Sequence, residues 1–354
     1  MSNSQAIDYS LTQRIKISDK RCSQLASVAM QCRDQTNYSA HYTHVDYSMI
    51  LTAADVQQKG LEILGVRQGR KNETALLLEF HKHYGSSPLD IADCWFDLCY
   101  WKGRSGTTLL EEKEKSEKGF KRILAAHYWL FCRPKNANVF ASRFGVSIDY
   151  AQGKNFWIWV ERIAALAEKK IVWDKRLNSK EAEYFAISSD GVDFKLWERK
   201  HELYPYDPKN MSHKFKSCGA KYIIALSVYE PKCVFIEGPF RGGKPDLDMF
   251  RESGLMQKMI DNGKVCIADR GFRSKSAQER KCFALPDYMD AGKELYNTKS
   301  RARLRQETWN GRLRHFGALS QTFTHGFVKH GIVLRAVAVV VQYQMDNGSP
   351  IYSV

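Results

Sequence analysis

The spacing of apolar positions changes character near residue 171. Before that point apolar side chains recur at helical spacing, as in DYSMILTAADVQQKGLEILGV and ETALLLEFHKHYGSSPLDIADCWFDLCYW, with polar breaks between runs. Within the second run, YGSSP divides two amphipathic segments, and Ser87 ahead of Pro88 marks a helix start. This pair fits a helix-turn-helix, but an ordinary helical hairpin fits it better. After residue 171 the pattern shifts to short β-branched and aromatic runs divided by turn residues: EYFAISSD, VDFKLWE, KYIIALSVYE, CVFIEGPF, KVCIADR and CFALP. One helix, DLDMFRESGLMQKMIDNG, interrupts these strands, and two long helices follow them. Strands, a crossover helix, a further strand and closing helices predict an α/β layer with helices covering the sheet. The apolar run AVAVVV is shorter than the ~20 residues that cross a bilayer, so it is expected as a buried helix and no membrane role is expected.

Between these textures lies a third region. EEKEKSEKGFKR mixes charges at helical spacing, which suits a solvated helix or a linker. In NANVFASRFGVSIDY, Ala141 allows close helix packing, Gly145 allows a left-handed turn, and Ser147 can cap a third helix. That is the tight turn of a helix-turn-helix, whose third helix would carry Lys154, Trp157, Trp159 and Arg162 and offer its N-terminal part to a groove or to phosphates. A plain three-helix bundle with Trp157 and Trp159 in its core is the alternative.

Charge sharpens the picture. The chain carries 54 Lys+Arg against 39 Asp+Glu, a formal net charge of +15, so a polyanion is the leading class of partner. Hydrophobic residues make up 44% of the 354, enough for real cores and too many for a disordered regulator. The cysteines number nine and show no C-x-x-C pair, which points to reduced, mostly buried thiols in an intracellular compartment and argues against a zinc site. The opening MSNSQAIDYSLTQR has no apolar stretch of the secretory kind.

Three acids stand in three unlike settings. Asp190 follows an apolar run and precedes Gly191, a pairing that by itself reads as a hairpin turn. Asp269 follows Val265 to Ala268 and could simply cap a strand end. Glu307 rides the basic stretch RARLRQETWNGRLRHF, where helical spacing puts Arg303, Gly311 and Arg314 on its face and Trp309 opposite. An ordinary surface glutamate paired along the helix would look the same.

Taken in order, SSDGVDF, SHKFKSCGAKY, IEGPFRGGKPDLDMFR, ADRGF, RARLRQETWNGRLRHFG and KHGIVLRAVAVVVQYQMDNG resemble the DDE-type transposases of the PIF/Harbinger superfamily, relatives of the bacterial insertion-sequence-5 group. The resemblance covers Tyr184 to Val354. It implies an α/β, ribonuclease-H-like catalytic domain, a mixed sheet flanked by helices, at 171–354, preceded by a helical N-terminal region at 1–110 and a helix-turn-helix DNA-binding region at 111–170. It also implies that Asp190, Asp269 and Glu307 are the catalytic triad and hold two Mg2+ or Mn2+ ions. These would cut DNA at the element ends and transfer the freed 3′-hydroxyl to target DNA.

Basic residues expected on the DNA backbone are His213, Lys214 and Lys216, Arg270 beside Asp269, and Arg303, Arg312 and Arg314 around Glu307, with Lys154 and Arg162 in the helical region. Arg301 and Arg305 belong to the same basic stretch. Asp193 is expected as an edge-strand acid rather than an outer ligand, and Asp246 as a helix N-cap rather than a metal ligand. A nuclear location, a Myb-like accessory protein and action as a homo-oligomer are further implications. Two other readings stay open: a domesticated DNA-binding protein that no longer moves DNA, and a metal-dependent nuclease without strand transfer.

Overall fold

The computed structural model describes residues 50–67, 69, 71–173, 177, 185–198, 207–286, 293–352 and 354. The opening MSNSQAIDYSLTQR therefore lies outside the described residues. The chain divides into two compact units, one reaching to Leu166 and including Val339–Pro350, the other Ala167–Ala338 with Ile351–Val354. The segments expected as separate regions on either side of residue 110 fall in one unit.

The first unit is helical: α1 (Ala53–Ile63), α2 (Glu73–Tyr84), α3 (Pro88–Tyr100), α4 (Glu117–Cys132), α5 (Ala137–Phe144), α6 (Ile148–Gln152) and α7 (Lys154–Ala165). Local chemistry explains the starts. Ser87 accepts from the Asp90 backbone N–H while the Asp90 side chain accepts from Ser87 N–H, and Pro88 occupies the first helical position, where its missing donor costs nothing. The charged run at 111–122 does not form a helix of its own. It makes the short 3-10 turn Glu112–Glu114 and then the first turns of α4, which Ser116 caps and which buries Phe120.

Gly145 ends α5 in the left-handed region, and Ser147 caps α6 by accepting from Tyr150 N–H. The helix expected to run on from Ser147 breaks at Gly153, which separates α6 from α7. Trp157 and Trp159 are buried, Trp157 edge-on to Trp129 and Trp159 under the guanidinium groups of Arg122 and Arg162. Their placement is the one the bundle alternative foresees.

His127 on α4 lies buried with neither ring nitrogen hydrogen-bonded, and burial pushes its pKa down to about 3. Its folded-state pKa is below the unfolded value near 6.5, so stability is fully present above that value and is lost as the pH falls below it. Between pH 7 and pH 5 this single group is expected to remove about 2 kcal/mol. Urea unfolding at the two pH values measures the loss, and His127→Leu should lack that component.

The second unit contains α8 (Ala167–Lys170), β1 (Phe185–Lys195), β2 (Met211–Ser212), β3 (Ser217–Ser227), β4 (Cys233–Arg241), α9 (Asp246–Glu252), α10 (Leu255–Asn262), β5 (Val265–Ile267), α11 (Ala277–Arg280), β6 (Phe283–Ala284), α12 (Lys293–Arg314), α13 (Gly317–Ser320) and α14 (Gly326–Asp346), whose last residues count with the first unit. The sheet is mixed, in the order β2-β3-β1-β5-β6, with β4 also paired to β3. β1, β3 and β4 are antiparallel neighbours, whereas β5 and β6 run parallel to β1. Helices α9 and α10 cover one face through Met249, Phe250, Leu255 and Met259 packed on Ile187, Ile223 and Cys266. Helix α12 covers the other through Ala302 on Val265 and Ile267. This mixed sheet between helices is consistent with a ribonuclease-H-like domain.

Two departures from expectation are instructive. EYFAISSD and VDFKLWE are not a hairpin: β1 runs straight through Asp190 and Gly191, which pair with Ile224 and Ile223 of β3. The single helix expected after β4 is split, because Gly254 adopts a left-handed conformation between α9 and α10. Helix α14 has the length and apolarity of a membrane span, yet its run from Ala336 to Val341 is buried in protein. The described cysteines are free thiols, and all but Cys132 are buried.

Candidate active site

Strand register sets the site. Side chains alternate along β1, so Ser188 and Asp190 face α12 while Ile187 and Gly191 face α9. Ser188 lies opposite Ile267 in the parallel pair with β5. Two residues further along each chain come Asp190 and Asp269, on the same side and next to each other. Across from them α12 presents Arg303, Gln306 and Glu307, and an open pocket is lined by Ser188, Ser189, Asp190, Ile267, Asp269, Arg303, Gln306 and Glu307. The three acids expected to work together therefore share one pocket.

Their environments differ. Asp190 accepts from Asn310 Nδ2 at 2.8 Å, and its carboxyl is pushed up to about 7, first by burial and then by the neighbouring charges of Asp269 and Asp246. Asp269 accepts from Gly271 N–H at 2.8 Å and so caps the 3-10 turn Arg270–Phe272. Glu307 is exposed at the pocket wall, one position after the buried Gln306.

The second acid acting on Asp190, Asp246, is one the sequence placed at a helix N-cap. Pro245, not Asp246, occupies the N-cap of α9, with no side-chain cap bond. Asp246 instead pairs with Lys221 Nζ at 2.8 Å. Its carboxylate lies where a side chain on Gly191 would be, since a Cβ there would sit 2.2 Å from Asp246 Oδ1, and its other oxygen lies beside Gly271. The signal in the sequence was the glycine after each aspartate, in DG and DRG, which leaves room for a third carboxylate. Asp193 is buried rather than at an open edge, accepts from Ser212 Oγ at 2.5 Å, and lies 3.8 Å from Lys221 Nζ.

The basic residues separate into two kinds. Arg303 lines the pocket, and Arg314 lies near enough to lower the Asp190 pKa while resting over the Phe194 ring. Lys154 and Arg270 are exposed, as are His213, Lys214 and Lys216 on the turn between β2 and β3, and Arg312 is half-buried. Arg162 is engaged inside its own unit, 2.5 Å from Glu114 and stacked on Trp159. Arg305 is buried and donates to the carbonyls of Ser227 and Val228, so it fastens α12 to the sheet and is not offered to DNA.

Beside the Arg303 guanidinium, the pocket offers carboxylate oxygens from Asp190, Asp269 and Glu307, a donor set that suits a hard divalent cation. The carboxyl of Asp190 is raised first by burial and then by two adjacent negative charges, and a cation beside it would offset both. Among the described residues no group of three or more His, Cys, Asp or Glu closes around a single point, so the pocket offers an adjoining aspartate pair and a separate glutamate.

One acid on β1, one just past the end of its parallel neighbour β5 and one on the covering helix thus line a single pocket of an α/β domain. Residues 190–342 match the model of the DDE superfamily endonuclease family. The match supports a DDE-type transposase family for this region, with a transposase or nuclease function, DNA as substrate and dependence on divalent metal. Comparisons with curated proteins and with solved structures return no match.

Proposed function

We propose that the chain is a DNA transposase of the PIF/Harbinger type that cuts DNA ends and joins them to target DNA, with Asp190, Asp269 and Glu307 as its cation-holding triad. The observation that carries this reading is the single pocket lined by all three acids, which come from a strand, the turn after its parallel neighbour and a helix far apart in sequence. Two Mg2+ or Mn2+ ions, when bound, would supply activation of water or a 3′-hydroxyl and stabilisation of the leaving oxygen.

The chain's own residues supply the rest. Asp190 and Asp269 present adjoining anionic oxygens, Glu307 adds a carboxylate from α12, and Arg303 offers a guanidinium to a phosphate entering the same pocket. Arg270, Arg312, Arg314 and the turn with His213, Lys214 and Lys216 supply further phosphate contacts. Lys154, at the exposed first turn of α7, serves a helix-turn-helix built on Gly145 and Ser147. The pairing of Arg162 with Glu114 takes it off the list of phosphate contacts. Nuclear action with a Myb-like accessory protein, as a homo-oligomer, completes the reading.

The test uses a labelled DNA fragment from the flanks of the chain's own gene, a target plasmid and Mg2+ or Mn2+. Cleavage followed by transfer of label to the plasmid is expected. Cleavage without transfer would make the protein a nuclease, and binding without cleavage a domesticated DNA-binding protein. Binding should weaken steeply with salt, as contacts to phosphate do.

A further inference from the structure

A hydrogen-bond chain runs under the pocket from β1 to α12. Ser188 Oγ donates to Gln306 Oε1 at 3.1 Å, Gln306 Nε2 donates to Asn310 Oδ1 at 3.5 Å, and Asn310 Nδ2 donates to Asp190 Oδ2 at 2.8 Å. Ser188, Gln306 and Asn310 are all buried, at 1%, 3% and 2% exposure. The geometry follows from two repeats that match: four helical residues rise ~6 Å, and two strand residues span ~6.6 Å, so Gln306 and Asn310 sit over Ser188 and Asp190.

The direction of the chain is forced from one end. With Asp190 ionised, the state a bound cation would favour, its carboxylate has no proton to give, so Asn310 turns its NH2 group to Asp190 and its oxygen to Gln306. Gln306 must then turn its NH2 to Asn310 and its oxygen to Ser188. Only the serine hydroxyl, free to rotate, can complete the series. Buried amides cost free energy that apolar side chains of similar size would not, unless each is paired, and here each pairing serves the next until Asp190 is reached.

We propose that Asn310, backed by Gln306 and Ser188, is a positioning residue that holds Oδ2 of Asp190 and leaves the other carboxylate oxygen for a divalent cation. This rests on the reading of the pocket as a cation site. Hydrogen bonds that orient a ligating group commonly change metal affinity by ~10–100-fold when removed.

The experiment measures the Mn2+ concentration at half-maximal rise of the melting temperature for the full chain, without DNA. Asn310→Leu, which keeps bulk but removes the donor, is expected to raise that midpoint about 10–100-fold. Ser188→Ala removes no bond to Asp190 and no carboxylate from the pocket, and should shift the midpoint the same way by a smaller factor. It decides the matter if Asn310→Leu fails to fold. Wild-type midpoints in both variants, with the response lost in Asp190→Ala, would overturn the positioning role and leave the cation site standing. No Mn2+ response in the wild-type chain would overturn the cation site, and the positioning role with it.

Discussion

Asp190→Ala, Asp269→Ala and Glu307→Ala are each expected to reduce metal-dependent DNA cleavage by at least ~10³-fold, about 4 kcal/mol of barrier, while DNA affinity changes little. The separation of the two effects follows from placement. The acids line the pocket, whereas the phosphate contacts proposed above lie on basic side chains spread over exposed turns and helices. Asp190→Ala carries a second, opposite signature. A carboxyl raised from 3.8 to about 7 gives stability that is present below pH 3.8 and lost as the pH rises through 7, on the order of 4 kcal/mol at neutral pH. Removing it should therefore leave the metal-free protein at least as stable as wild type near pH 7. Cleavage assays, filter binding and melting curves on the same preparations check all three statements, and full cleavage by any one variant would remove that residue from the triad.

How much of this was legible in the sequence depended on whether a feature was local. Caps were plain: Ser87 with Asp90 and Pro88, and Gly145 with Ser147, fall where turn chemistry puts them. Most strand positions and the two long closing helices were also readable from period alone, although two expected strands are the single β1 and the crossover helix is split at Gly254. Burial of α14 across its valine run followed from composition. What could not be read locally was pairing. Asp190-Gly191 carries a hairpin signal, yet β3 supplies hydrogen-bond partners on both sides of it and keeps the strand straight. Arg305 looks like one more surface charge in RARLR, and only the carbonyls of Ser227 and Val228 reveal it as a fastening. Asp246 is the clearest case, since its role depends on Lys221 and on two glycines in other elements, none of them near it in sequence.

Gly191→Val is expected to destabilise the protein by about 3 kcal/mol, at the upper end of what overpacking costs. Because β1 does not turn at Gly191, the glycine is explained by close approach rather than by backbone freedom. A Cβ would lie 2.2 Å from Asp246 Oδ1 and 2.7 Å from its Cγ, and that short side chain is held by Lys221. The valine must therefore either displace Asp246 from Lys221 or push α9 off the sheet. The two explanations for the glycine separate in a double-mutant cycle with Asp246→Ala. If close approach is the cause, the valine costs much less once the carboxylate is gone, because the remaining near contact is the flexible end of Met249 at 3.1 Å. Equal costs in the two backgrounds, measured by urea unfolding, would mean that Asp246 is not what Gly191 makes room for, and that the second acid beside Asp190 is held there by something other than this glycine.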